Sequence, residues 1–388
     1  MIDFKSLFSD PSDTEVLKAP KNHSTKRIFI AATRMNDGKT TTSLGLYSAL
    51  SDTTNKIGFI KPVGQRFIDI NGEKIDEDCL LLNETFNVST PIQAMSPIVV
   101  HKNFTKEYLD DPENSHPKLI DNLCRAFDRA AYQKDYIIIE GTGHAGVGSV
   151  FNLSNAEVAK TLNAKVILVA SGGIGRPIDE IALNKALFES VGVEIIGVII
   201  NKVESDKMDF IQYYCKKALK NMHLKLLGCI PSYEQLSIPS LSQVIDEIKG
   251  EKLNQIHQPQ IRKIKKVVIG AKAAKSIIGE IEDGTLIITP SDRKDIIESV
   301  LSLNPDNKLS GILLTNGLHI DGTLLNQIKQ SPTPFIASNE DSFKVTTRIN
   351  KMTIKTQPND SINIPIIKAI SKKFLDLTEI ENAFRSSL

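Results

Sequence analysis

The chain has 388 residues, with 47 Lys and Arg against 46 Asp and Glu and a formal charge of +1. That balance gives no global field for nucleic acid or an anionic membrane, and the length exceeds one ordinary core, so two domains are expected. Cys79, Cys124, Cys215 and Cys229 lack metal-site spacing, the N-terminus is polar and acidic, and no apolar run reaches membrane-spanning length, all pointing to a reducing cytoplasm.

Residues 1–25 read as an extension. Strands are expected at 27–33, 56–61, 135–140, 165–170, 194–200 and 225–230, with helical patterns between most of them. Such alternation builds a mostly parallel sheet covered on both faces. The segment 62–117 is broken by Pro, Asn and Asp and reads as substrate or metal loops on short helices. The polar stretch 249–262 has no apolar period and reads as a linker, and the basic run Arg262–Lys266 at its end reads as a solvated edge. A second series follows, with strands at 266–271, 285–289, 310–314 and 334–337, helical runs at 272–279, 292–303, 321–330 and 340–350, and a helical stretch over about 361–386. The expected domains are 26–248 and 263–388.

The first strand leads into the most informative segment, Ile28-Phe-Ile-Ala-Ala-Thr33-Arg34-Met-Asn36-Asp37-Gly38-Lys39-Thr40-Thr41. A strand, a loop ending Gly-Lys-Thr and a helical run make a phosphate-binding loop. Its backbone N–H groups wrap phosphate oxygens, Lys39 reaches the terminal phosphates, and the Thr40 hydroxyl ligates Mg²⁺. The loop residues Thr33, Arg34, Asn36, Asp37, Gly38, Lys39, Thr40 and Thr41 are therefore expected to bind ATP. Thr33 stands where the usual spacing has its first Gly.

Asp135-Tyr-Ile-Ile-Ile-Glu140-Gly141-Thr-Gly143 is a buried strand that delivers Glu140 at its carboxyl end, where open α/β sheets bind ligands. Glu140 would hold Mg²⁺ directly or through water. Asn201 ends another apolar strand, where an amide can read a purine edge or serve as an ordinary turn residue. Gly141, Gly143 and Gly146 match a dinucleotide fingerprint, yet helical pattern resumes only near Ser154. Gly141 and Gly143 therefore read better as close backbone approach to a bound anion or substrate. His144 could be a phosphate or carboxylate ligand, or an ordinary loop histidine.

Together these residues resemble the dethiobiotin synthetase family of P-loop enzymes over roughly 26–245. That family's loop also has Thr at the first Gly position. Its Lys-Pro-Val is found as Lys61-Pro62-Val63, its Glu-Gly-x-Gly as Glu140-Gly-Thr-Gly143, its base-reading Asn as Asn201, and its Ser-Asp as Glu77-Asp78. The resemblance implies that Lys61 lies near the reacting substrate and phosphate and that Asp78 supplies a metal carboxylate. The second half is similar to the DRTGG domain that follows such a domain in some bacterial phosphotransacetylases. That likeness rests on Gly284-Thr-Leu-Ile-Ile-Thr-Pro-Ser-Asp292-Arg293, Leu313-Leu-Thr-Asn-Gly317 and Pro334-Phe-Ile-Ala-Ser-Asn. Lys294-Asp295 replaces the Thr-Gly-Gly, and Asp292-Arg293 reads equally as a helix N-cap with a solvated neighbour.

The fold class expected is thus α/β: a P-loop NTPase domain with a mostly parallel sheet, plus a smaller α/β DRTGG-type domain. The resemblance implies a cytoplasmic Mg²⁺-ATP-dependent hydrolase or ligase-like enzyme with Lys39 and Lys61 catalytic and Thr40, Asp78 and Glu140 on the metal. Its substrate would be a small carboxylate or amine, and the chain a homodimer. The alternative is a nucleotide-responsive regulatory protein. Since the phosphotransacetylases continue into a large acyl-transfer domain where this chain stops at Leu388, the same resemblance argues against a complete phosphate acetyltransferase.

Overall fold

The computed structural model describes residues 16–303, 308–358 and 360–385; residues 1–15 of the expected extension lie outside them. The chain divides into two units, one of Met1–Ser232 and Ile364–Leu388, the other of Tyr233–Asn363.

The first unit runs β1 (Lys26–Ala32), α1 (Lys39–Leu50), β2 (Ile57–Ile60), β3 (Val63–Gly64), β4 (Phe67–Ile70), β5 (Glu73–Asp76), α2 (Glu77–Phe86), α3 (Ile92–Met95), β6 (Ile98–Val99), α4 (Phe104–Asp110) and α5 (Pro112–Ala130). It continues with β7 (Tyr136–Glu140), α6 (Asn155–Thr161), β8 (Lys165–Ser171), α7 (Arg176–Ser190), β9 (Ile195–Val203), α8 (Met208–Asn221) and β10 (Leu226–Pro231). Six strands form one parallel sheet in the order β10-β9-β8-β1-β7-β2. The chain leaves β1 toward β7 and β2 on one side and toward β8, β9 and β10 on the other, and the loop after β1 opens at this switch of direction. Because helices cover both faces, the strands are near-continuous apolar runs: Ile28 through Ala32, Ile137 through Ile139 and Val166 through Ala170 are fully buried. The described part of the N-terminal extension packs on α5, where Asp121 Oδ1 accepts the Leu17 amide at 2.8 Å and Asp128 Oδ1 accepts that of Asn22 at 2.8 Å.

The second unit contains α9 (Leu241–Ile248), β11 (Glu251–Lys252), β12 (Lys266–Ile269), α10 (Ala274–Gly279), β13 (Thr285–Pro290), α11 (Lys294–Leu301), β14 (Leu309–Thr315), α12 (Gly322–Gln330), β15 (Phe335–Ala337) and α13 (Ser342–Lys351). Its sheet has the order β11-β15-β14-β13-β12, parallel except for the edge strand β11. One face packs Ile277, Ile296, Ile297, Val300, Leu324 and Ile328 from α10, α11 and α12. The other packs Leu241, Val244, Ile245 and Ile248 of α9 and Val345 and Ile349 of α13.

The segment 249–262 is therefore not a free linker. Glu251 and Lys252 pair with Ala337 and Ile336, and Asn254 donates to Ser331 O and Thr333 O while accepting the Phe335 amide at 2.9 Å. These pairings are backbone and amide contacts, which leave no apolar period in sequence. Lys263 of the basic run is half-buried in an ion pair with Asp360, whereas the Lys265 side chain is exposed.

Beyond the second unit come α14 (Asn363–Phe374) and α15 (Leu377–Asn382). They do not close a 263–388 block; from Ile364 onward the chain belongs to the first unit. The second unit is an insertion between β10 and the last helices of the first.

Candidate functional site

Gly38 is the hinge of the phosphate loop. Its φ of 103° and ψ of 33° are left-handed, a conformation open to glycine, and it precedes α1 as N-cap with no acidic residue in the helix's first turn. The helix N-terminus thus keeps its N–H groups and positive dipole end for an anion.

The loop is braced from within. The buried Asp37 carboxylate accepts from the Thr33 hydroxyl at 2.8 Å, the Arg34 amide at 2.9 Å and the Ser171 hydroxyl at 2.5 Å. Asn201 Nδ2 donates to Asp37 O at 2.9 Å while its Oδ1 accepts the Lys202 amide, and Lys202 Nζ donates to Asn36 O at 2.6 Å. Asn201, only 5% exposed, thus braces the loop with one bond from each end of its amide. Arg34 leaves the loop to pair with Glu180 at 2.8 Å, which also pairs with Arg176. Thr41 follows Thr40 into α1 as its third residue.

Below the loop lies a buried ionic cluster. The Thr40 hydroxyl donates to Glu140 Oε1 at 2.9 Å, whereas Glu140 Oε2 is buried without a hydrogen-bond partner among the described residues. Lys61 Nζ pairs with Asp78 and, at 3.0 Å, with Asp76 Oδ1. Burial raises the Glu140 carboxyl to about 7, reinforced by Asp78 and opposed by Lys61 and Lys39. Lys39 is lowered by burial and by the like charge of Lys61, with Glu140 acting against both. For Lys61 burial acts downward, but Asp78 and Asp76 outweigh it and hold the ammonium charged. The expected metal residues Thr40 and Glu140 are in contact, while Asp78 is engaged by Lys61. Among the described residues no group of three or more His, Cys, Asp and Glu is placed to hold a metal ion.

Asp76 is the member of this cluster that the sequence reading missed. Its Oδ1 accepts the Asp78 amide at 2.9 Å, capping α2, and its own amide donates to Ser96 Oγ. Gly64 makes room for it, since a Cβ there would lie 2.5 Å from Asp76 Oδ2. Asp76 followed two residues later by Asp78 and the apolar Cys79–Leu82 is a helix-start pattern that could have exposed it.

Gly141 and Gly143 have little room for a side chain. A Cβ on Gly141 would lie 2.7 Å from both Asn155 Oδ1 and Phe29 Cε1, and Gly143 has a φ of 66°. Asn155 ties the segment by accepting the Thr142 amide and donating to Thr142 O and His144 O. Helix α6 opens only after Ser154, whose side chain accepts the Glu157 amide, so no helix starts within the glycines as a dinucleotide fingerprint requires. His144 Nδ1 accepts the Gly146 amide at 3.2 Å in an exposed turn.

In the second unit Arg293 is a clamp. It makes a bidentate contact to Asp295 at 2.8 and 2.7 Å and donates to Gly270 O and Lys272 O. Arg293 itself occupies the N-cap of α11, without a side-chain cap, so the expected capping by Asp292 is not formed.

The AAA_26 family, described as an AAA domain, matches residues 26–240, and the DRTGG domain matches 243–352. A phosphate acetyltransferase of Pseudomonas putida is 28% identical over 364 residues, covering 90% of this chain and 50% of that protein. One of Nitrosomonas europaea is 26% identical, covering 84% and 47%. The ATP-dependent dethiobiotin synthetase of Clostridium kluyveri is 29% identical over 190 residues, covering 47% of this chain and 76% of that enzyme. Among solved structures, the MinD cell division protein of Aquifex aeolicus superposes at a TM-score of 0.34 and 15% identity, covering 55% of this chain and 84% of that one.

The chain spans about half the length of the curated phosphate acetyltransferases it matches. These relatives overturn the expectation of a ligase-like enzyme distinct from the phosphate acetyltransferases: they match nearly the whole chain through both units, whereas the synthetase matches less than half. The chain's end at Leu388 carries no weight against acetyl transfer. The chain belongs to the AAA_26 family and joins that P-loop domain to a DRTGG domain, the architecture carried by its phosphate acetyltransferase relatives.

Proposed function

We propose that the first unit binds Mg²⁺-ATP and that the chain is a nucleotide-responsive protein of the phosphate acetyltransferase type, with the nucleotide acting as a regulator. The observation that carries the nucleotide reading is the orphaned Glu140 Oε2 beside Thr40, beneath a loop whose Gly38 and unneutralised helix end are shaped for an anion. Apart from the Ser43 hydroxyl, which favours the ionised carboxyl, this oxygen has no donor at hydrogen-bonding geometry among the described residues; such an acceptor suits a cation, and one that arrives with phosphate oxygens would not need a protein-built cage. Thr40 and Glu140 would hold the ion with Asp78 alongside, and the bound Mg²⁺ would neutralise phosphate charge. Lys39 reaches the terminal phosphates from the helix end. Lys61, fixed between Asp76 and Asp78, keeps a second positive charge at the same place.

The regulatory part of the reading rests on the curated relatives, named for acetyl transfer and matched along nearly the whole chain. Calorimetric titration of the full chain with ATP, with and without Mg²⁺, tests the first part. Transfer of acetyl between CoA and phosphate, measured with and without ATP, tests the second. Mg²⁺-dependent binding with an ATP-sensitive transfer rate is expected; absence of ATP binding overturns the nucleotide assignment, and ATP turnover matching any transfer rate overturns the regulatory one.

A further inference from the structure

Lys26 and Tyr136 open the neighbouring parallel strands β1 and β7 and are register partners there, so their side chains leave the same face at the amino edge of the sheet. Lys26 Nζ donates to the Tyr136 hydroxyl at 3.2 Å and stands 4.7 Å from the centre of its ring. Phe384 packs edge-on against that ring, with 6.3 Å between centres. The phosphate loop leaves the other end of β1, a strand of seven residues that separates the two places by about 20 Å at 3.3 Å per residue.

This amino edge carries a cavity of about 1210 Å³, lined by residues of the first unit alone. Lys26, Lys56, Lys134 and Arg385 line it against Asp135 and Glu381, in a chain whose formal charge is only +1. Its lysines are held by neutral groups or by none. Lys26 rests on Tyr136, Lys134 Nζ donates to Ser89 Oγ and, at 3.5 Å, to Ser89 O, and the exposed Lys56 ammonium has no partner among the described residues. Asp135 Oδ2 accepts the Thr54 hydroxyl at 2.6 Å, and Glu381 lies 3.8 Å from Arg385. Burial lowers the Lys134 ammonium below its ordinary value, and an anion in the cavity would act the other way. Tyr132, 67% exposed, brings an open aromatic ring to the same cavity.

We propose that this cavity is a second small-molecule site, for an organic phosphate that carries a planar ring. Lys26, steadied on Tyr136, gives the phosphate one fixed cation, Lys56 and Lys134 close on its oxygens through charge-assisted hydrogen bonds, and Tyr132 gives the ring a stacking face. Open α/β sheets place their reacting ligands at the carboxyl ends of the strands. A ligand at the amino ends lies away from the candidate reaction site and acts as an effector. The site does not depend on nucleotide binding at the phosphate loop.

Calorimetric titration of the full chain tests it, with adenosine monophosphate as the probe and inorganic pyrophosphate as the anion without a ring. Adenosine monophosphate should bind wild type and Lys39→Ala alike. The remaining variants carry Lys39→Ala as well, which keeps either probe off the loop. Adding Lys56→Gln with Lys134→Gln should cost about tenfold or more in affinity for both probes. Adding Tyr132→Ala should cost roughly fivefold or more for adenosine monophosphate and nothing for pyrophosphate. Absence of adenosine monophosphate binding overturns the site, as does an affinity that falls with Lys39→Ala and ignores the lysine pair. An equal loss on adding Lys220→Gln, an exposed position of α8, would reduce the effect to overall charge and overturn the site too. Unchanged adenosine monophosphate affinity in Tyr132→Ala overturns the ring-bearing class of ligand. Should the lysine pair variant not fold, Lys56→Gln alone, at an exposed position, carries the same comparison.

Discussion

Gly38 and Asn201 occupy one space: a Cβ on Gly38 would lie 2.1 Å from Asn201 Nδ2, the atom that donates to Asp37 O. Gly38→Ala therefore meets both a clash and a left-handed backbone cost of roughly 1–2 kcal/mol. Asn201→Ala removes the clash, and with it the bond to Asp37 O, but leaves the backbone cost. The double variant should recover part of the ATP affinity lost in Gly38→Ala, as measured by calorimetry; full recovery would show that the backbone conformation of Gly38 does not matter.

Lys39→Ala removes a charge-assisted contact to phosphate worth about 1.5–3 kcal/mol, roughly a ten- to hundredfold loss of ATP affinity. Unchanged affinity in the folded variant would sink the phosphate-loop assignment.

Lys61→Met leaves Asp76 and Asp78 buried without their shared cation. Loss of one partner from such a cluster costs about 3–5 kcal/mol, which urea unfolding of the variant should show. A loss under about 1 kcal/mol, the range of exposed pairs, would mean that the cluster is solvated.

Glu140 is raised from an ordinary 4.5 to about 7. Between those values the folded state binds more protons than the unfolded one, so this group's contribution is full at low pH and is lost as pH rises through 7. Thermal melts of nucleotide-free wild type and Glu140→Gln across pH 4.5 to 7.5 should show wild type losing ground steadily to the variant. Parallel melting curves over that window would place Glu140 in a less buried setting.

Since α14 and α15 belong to the first unit, truncation after Ser232 should strip the cover from α1 and yield an insoluble or unfolded product. Replacing 233–363 with a short Gly/Ser linker should leave a folded, ATP-binding unit, and 233–363 should fold by itself. A stable, ATP-binding 1–232 fragment would refute the insertion topology.

Sequence alone located the parallel strands of the two main sheets, because their apolar runs and turn residues are local signals, but not the short strands within 62–117 or the edge strand β11. Ile28–Ala32, Tyr136–Glu140 and Leu309–Thr315 are legible as buried parallel strands, and the Gly38-Lys39-Thr40 loop is legible because its chemistry is carried by adjacent residues. Only the tertiary structure decided what distant residues do. Asp76 joins Lys61, Asn201 braces a loop 164 residues away, and the polar stretch at 251–252 becomes an edge strand through backbone pairing that needs no apolar side chains. The return of α14 to α1 was hidden for the same reason. Its apolar pattern states that it must be buried, but the small notch at Gly45 that receives Ser371 exists only once the chain has folded.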